Sequence, residues 1–130
     1  MDNATDETLS RTLPLAHGLL YVVTGIWPLV SMDTFTRVTG PKTDLWLVKT
    51  VGLLIAVVGG VLTLAGIRRQ PGPEVMALGA GSAAALATVD VVYVQRGRIS
   101  RIYLLDAALE ASLVAAWLRV YARAQSGRPQ

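Results

Sequence analysis

The sequence predicts an all-α fold, a four-transmembrane-helix antiparallel bundle, and three observations predict it. Hydrophobic residues make up 52% of the 130 residues and charged residues only 16%, whereas soluble domains carry about 25% charged residues. The apolar residues fall into four blocks, 13–32, 45–67, 75–94 and 102–121, each long enough for the about 20 helical residues that cross a hydrocarbon layer of roughly 30 Å. Two of the connections are short enough to force antiparallel neighbours. A mean hydropathy of +0.47 agrees with lipid as the solvent. There is no internal repeat, no low-complexity tract and no room for a second domain, so residues 1–130 read as one integral membrane unit.

Taken in order, Thr12 followed by Pro14 reads as a helix start, because a hydroxyl caps free amides and proline loses nothing in the first turn. The segment before it carries Asp2, Asp6 and Glu7 ahead of Arg11. That is the reverse of a basic signal sequence, so 13–32 is expected to remain as a true span. Residues 33–44 form the longest polar connection, with Gly40-Pro41 as a turn signal. Thr43 or Asp44 caps the second helix. Arg68, Arg69, Gln70, Pro71, Gly72 and Pro73 make a tight break before the third, and 95–101 make another before the fourth, with Ser100 as its cap.

An even number of spans puts both termini on one side, side A, with the Arg68/Arg69 turn. Side B then holds the 33–44 and 96–101 loops. Cations divide as Arg11, Arg68, Arg69, Arg119, Arg123 and Arg128 on side A against Arg37, Lys42, Arg96, Arg98 and Arg101 on side B. Six against five does not decide the orientation; cytoplasmic termini in the inner membrane of a cell are the preferred reading, with inverted or dual insertion as the alternative. The net charge of +3 is spread over both sides with no dense basic stripe, so nucleic acid is not an expected partner. The chain has no cysteine, which removes disulfides, thiolate metal sites and cysteine nucleophiles.

Small residues recur at helical spacing in the second helix, at Gly52, Ala56, Gly59 and Gly66, giving a groove that another backbone can approach. The third helix offers Gly79, Gly81, Ser82 and Ala83 and is the expected partner for small-xxx-small packing.

Ionisable residues inside the spans carry the functional signal, since a charge at the bilayer centre costs about 2.5–3.5 kcal/mol on insertion scales. Lys49 lies roughly 10 Å from the midplane, Asp90 and Asp106 roughly 8 Å, and Glu110 roughly 2 Å, all displaced toward side B. In the fourth helix Tyr103, Asp106, Glu110, Trp117 and Tyr121 share one stripe. In the third, Asp90 and Tyr93 continue the stripe through Gly79, Ala83 and Leu86. Lys49, Asp90, Asp106, Glu110, Tyr93 and Tyr103 are thus expected to meet in a side-B pocket. One cation against three acids leaves two negative charges in excess. Either an acid holds a proton, with Glu110 the deepest, or an arginine, a cation or a cationic ligand completes the site. The bland alternative pairs Lys49 with Asp90 or Asp106 to fix helix register. Trp27 and Trp46 fall at the same level, where tryptophan also serves as an interfacial belt residue. His17, toward side A and roughly 10 Å in depth from Glu110, reads as an interfacial or packing residue. No cofactor motif, catalytic residue or metal signature stands out, and a lysine among the carboxylates would compete with a metal.

Gly18, Tyr21, Gly25, Pro28, Phe35, Thr39-Gly40, Trp46, Lys49 and Gly52 together resemble the first hairpin of small four-helix bacterial integral membrane proteins of uncharacterised function. The resemblance spans the first half of the chain and implies architecture but no activity. The first helix lacks the embedded glutamate of small multidrug transporters. Three function classes follow. The pocket binds or transports a proton, a cation or a small amphipathic ligand; or the chain is a structural or accessory subunit, packed against a membrane-protein partner or a second copy; or it is a membrane-embedded isomerase-like enzyme, for which the sequence offers no nucleophile.

Overall fold

The glycine spacing and the in-span charges decide how the helices meet. The structure, a computed structural model, describes residues 3–68 and 71–127 and contains five helices and no strand among them: α1 Asn3–Val30, α2 Met32–Thr39, α3 Leu45–Ile67, α4 Pro73–Gln95 and α5 Tyr103–Ser126. Asp2, Arg69, Gln70 and Arg128, which entered the charge and turn expectations, lie outside the described residues. Three helices, α1, α3 and α4, are long and apolar enough to cross a membrane. This is compatible with a multi-pass membrane protein. α5 is not among them, because Asp106 and Glu110 interrupt its first half and Arg119 and Arg123 its end.

α1 starts ten residues before the expected start at Leu13, and Pro14 lies inside it. The Thr12 hydroxyl donates to the Thr8 carbonyl at 2.8 Å instead of capping a helix start. Local charge explains the extension. Asp6 sits in the first turn, where the helix dipole favours an acid, and Glu7 pairs with Arg11 four residues on at 2.9 Å. At 28 residues, about 42 Å, α1 is longer than the roughly 30 Å layer. Its first turns lie beside the end of α5, and Asp6 ties the two together. Its Oδ1 accepts from Arg119 Nε at 2.6 Å, Arg123 Nε lies 3.6 Å from Oδ2, and Arg123 also bonds Asn3.

The polar connection 33–44 is also more ordered than expected, since most of its first half is α2. Gly40 ends α2 at φ +100°, which a residue with a Cβ rarely adopts. Lys42 folds back so that its ammonium donates to the Thr39 and Gly40 carbonyls at 3.2 Å each. Asp44 precedes α3 as anticipated but makes no capping bond through its side chain. α4 begins at Pro73, two residues before the expected 75, with proline in its first turn. Ser100, the expected cap, stands two residues before the actual cap of α5, Ile102, and its hydroxyl accepts from the Ile102 amide at 3.3 Å.

The main correction concerns the packing partner of the α3 glycines. Gly52, Gly59 and Gly66 are buried, but against α1 and not α4. A Cβ at Gly25 would overlap the Gly52 carbonyl oxygen and the Ala56 backbone. One at Gly59 would overlap the Gly18 carbonyl, and one at Gly66 would overlap Leu15. α1 matches with its own small residues, so the surfaces are complementary from both sides. α4 pairs with α5 instead, where Gly79 receives the Trp117 ring and Ala83 is fully buried. Two antiparallel hairpins result, α1/α3 and α4/α5. The two hairpins touch each other sparsely, α1 against α5 and α3 against α4.

Gly25→Ala is expected to lower stability by about 1–3 kcal/mol, the range for overpacking a tight interface. Gly60→Ala, where a Cβ meets nothing within 4 Å, is expected to be neutral or stabilising by up to about 1 kcal/mol through helix propensity. Reversible unfolding of both variants in detergent checks the contrast, and equal losses would contradict the close approach of α1 and α3.

Candidate functional site

α1 presents two edges about 70° apart at the helical spacing of about 100° per residue. Gly18 and Gly25 form the edge against α3, while His17 and Tyr21 form the edge against α5. His17 is fully buried, Tyr21 is 2% exposed and Glu110 is 2% exposed. The Tyr21 hydroxyl donates to Glu110 Oε2 at 2.6 Å, and Trp117 Nε1 donates to His17 Nδ1 at 2.9 Å. The His17 ring meets the Tyr21 ring edge to face at 4.1 Å between centroids. His17 is therefore a packing residue joined to a polar ladder, and the interfacial alternative falls because no part of it reaches the surface.

Toward side B the hairpins part around a cavity of about 370 Å³. Its floor is Tyr21 and Glu110, and its acidic wall is Asp90 and Asp106. Val48, Val51 and Ile55 of α3 face Leu86 and Val89 of α4 across it. Trp27 and Pro28 close one side, while Phe35, Thr39, Lys42, Ile99, Ile102 and Tyr103 roof it. Asp90 is 4% exposed and its Oδ2 has no hydrogen-bond donor among the described residues. The Asp106 carboxyl lies beside it. The antiparallel α4/α5 register brings this about: Gly79 opposite Trp117 sets Asp90 level with Asp106, eleven residues along each helix. Three carboxyls thus border one mostly apolar space.

Lys49 is outside it. Gly52 must face α1, and around the α3 axis Val48, Val51 and Ile55 lie about 40–100° to one side of Gly52 while Lys49 lies about 60° to the other. The cavity occupies the first flank, so Lys49 is exposed on the outer face. It makes no ion pair with Asp90 or Asp106; among the described residues the ion pairs are Arg11–Glu7, Arg119–Asp6 and Arg123–Asp6, all at the opposite end. Tyr93 also turns outward, 40% exposed, with the Arg96 guanidinium 6.0 Å from its ring centre. Tyr121, expected on the inner stripe, is 47% exposed because Val120 takes the buried position three residues after Trp117. None of Arg96, Arg98 and Arg101 lines the cavity. The cation at its rim is Lys42, whose ammonium lies 5.0 Å from the centre of the Tyr103 ring.

Sequence reasoning missed Tyr21 and Lys42. Tyr21 was legible in depth, since it lies within about two residues of the midpoint of its block, as Glu110 does of its own. The depth argument was applied to charges alone and not to hydroxyls. Lys42 carried no such signal, because its position depends on α2 folding back over the bundle. Among the described residues no three His, Cys, Asp or Glu side chains gather closely enough to hold a metal ion. A second hollow, about 490 Å³, lies at side A between Ser10, Met76 and Val120. Its charged lining residue, Arg123, already serves Asp6 and Asn3.

No family model, no curated protein and no solved structure matches this chain.

A double-mutant cycle of Tyr21→Phe and Glu110→Gln is expected to give a coupling energy of about 0.5–2 kcal/mol, the span of interhelical hydrogen bonds measured in membranes. Unfolding free energies of the two single variants and the double variant check it, and strict additivity would show that the bond contributes nothing.

Proposed function

We propose that the chain is a four-span membrane protein whose side-B cavity binds a small cationic or amphipathic ligand within the bilayer. α5 serves as the fourth span by turning its acids inward to Tyr21 and the cavity and its leucines outward; Leu105 is 69% exposed and Leu118 57%. The observation that carries the reading is the uncompensated acidity of the cavity. Asp90, Asp106 and Glu110 converge on apolar walls, and no cationic side chain of the described residues pairs with them. Buried carboxylates are costly without a counter-charge, so either protons or a cationic guest must neutralise them. The cavity is within the size range of small-molecule sites, about 300–1,000 Å³, and has their make-up of apolar walls with a few convergent polar groups. Cytoplasmic termini in the cell membrane are the preferred orientation of this proposal, which a cation count of six against five does not decide.

The accessory-subunit reading keeps one observation in its favour, Lys49 on the outer face of α3 among exposed apolar residues such as Leu53 and Val57. A partner could supply an acid there. The isomerase reading gains nothing from the geometry.

Native mass spectrometry of the protein extracted gently from its own membrane tests the proposal. The expected result is a retained small molecule on the wild type that is lost in Asp90→Asn and in Glu110→Gln, with both variants still folded. An empty wild-type chain in stoichiometric complex with a partner protein, or a small molecule retained equally by both variants, would overturn it in favour of an accessory or purely structural role.

A further inference from the structure

The cavity has unequal walls. Toward side B it is roofed by α2 and the 96–102 loop, and toward the midplane it is floored by the Tyr21–Glu110 bond. Between α3 and α4 it is barely walled at all. The helices touch sparsely there, and Val51 and Val89, which line the cavity from either side of that gap, are 44% and 47% exposed. In a bilayer that side faces hydrocarbon.

Resting on the cavity reading above, we infer that the guest is a lipophilic monovalent ammonium that passes sideways from the bilayer between α3 and α4, seating its charged head at Asp90 and Asp106 and its hydrocarbon part along the α3 and α4 walls. Asp90 supplies the head site: its side chain borders the cavity, is almost wholly buried, and its Oδ2 meets no donor among the described residues, with only the Asp106 carboxyl beside it. An ammonium is a compact donor that satisfies such an oxygen. A hard divalent ion fits poorly, because it needs about six or more oxygen ligands and the carboxyls are not gathered for one. The aromatic residues Trp27, Phe35 and Tyr103 border the same space, and Tyr103 already holds an ammonium, that of Lys42, over its ring. Val48, Val51, Ile55, Leu86 and Val89 offer nothing but hydrocarbon, which suits an alkyl chain and not a hydrated ion.

The test uses the full chain in phosphatidylcholine nanodiscs and three probes: octylammonium, its neutral analogue 1-octanol, and tetramethylammonium, a cation without a tail. Calorimetric titrations are corrected with empty nanodiscs. The expected result is saturable binding of one octylammonium per chain, at least about tenfold tighter than either other probe, and weakened at least about tenfold by Asp90→Asn. Stopped-flow association is expected to slow about tenfold in Val89→Trp and to change less than about twofold in Lys42→Gln at the roof. Octanol binding as tightly as octylammonium would overturn this inference alone, leaving an amphipathic-ligand site with no preference for a cation. Tetramethylammonium binding as tightly would overturn the inference alone, leaving a cation site without a lipophilic requirement. Absence of saturable binding by all three probes, or acceleration in Lys42→Gln with no change in Val89→Trp, would also overturn it. The wild-type comparison of probes stands even if Asp90→Asn proves unstable.

Discussion

The contact between α1 and α3 sets the geometry of everything else. Gly18 and Gly25 meet Gly59, Gly52 and the Ala56 backbone so closely that a single methyl group on either side has no place. In lipid, where helix association gains no hydrophobic driving force, such close backbone approach is a main source of packing energy. It also fixes rotation. With its small residues committed to α3, α1 must turn His17 and Tyr21 toward α5. With Gly52 committed to α1, α3 can bring only one of its two flanks to the bundle interior. The chosen flank is Val48, Val51 and Ile55, and Lys49 is thereby carried to the outside.

The second tier of organisation is polar and runs along the α1/α5 interface. Trp117 serves His17, Tyr21 serves Glu110, and at the terminal end Asp6 gathers Arg119 and Arg123. Each bond joins residues about 90 or more positions apart, so the ladder closes the bundle by tying its first helix to its last. These bonds also explain a contrast among the acids. Glu110, nearest the midplane, is held by a tyrosine donor that spans the interface. Asp90 lies beside Asp106, and its Oδ2 has no hydrogen-bond donor among the described residues. Of the three acids that border the cavity, the deepest is thus satisfied by a tyrosine and Asp90 is not.

The sequence made the helices legible and the depths of their charged residues nearly so, because both depend on local quantities: block length, and distance along a helix. The ends of α3 agree with the 45–67 block to the residue. Asp90, Asp106 and Glu110 border one space, as their common depth suggested. Partnership was not legible. Gly52, Gly59 and Gly66 announce a tight contact but do not say with which helix, and α4, with Gly79 and Gly81, looked as suitable as α1. Only the matching register of Gly18 and Gly25 decides between them; Gly81 meets nothing within 4 Å. The misplacement of Lys49 followed from that same choice, since a helix rotated to face a different neighbour moves every residue to a different wall. Residues 3–12 were misjudged for another reason. Besides their local charges, Asp6 meets arginines more than 110 positions away, a contact that no local pattern reveals.

One consequence of that rotation concerns charge. Had α3 turned its other flank inward, Lys49 would stand close in depth to Asp90 and Asp106, and the bundle would close on a buried ion pair of the kind that fixes register and does little else. As built, the lysine keeps its aliphatic stem on the outer face, within reach of the side-B interface for its ammonium, where a long side chain near a helix end can be accommodated. The acids face an apolar space whose nearest cation, Lys42, is occupied with the α2 carbonyls and the Tyr103 ring. Separating one cation from three acids within the same few helical turns forgoes the simplest stabilising pair available to the sequence. A chain that needed its in-span charges only for assembly would gain by the opposite rotation, so the separation itself favours a cavity whose neutralising charge comes from outside the protein.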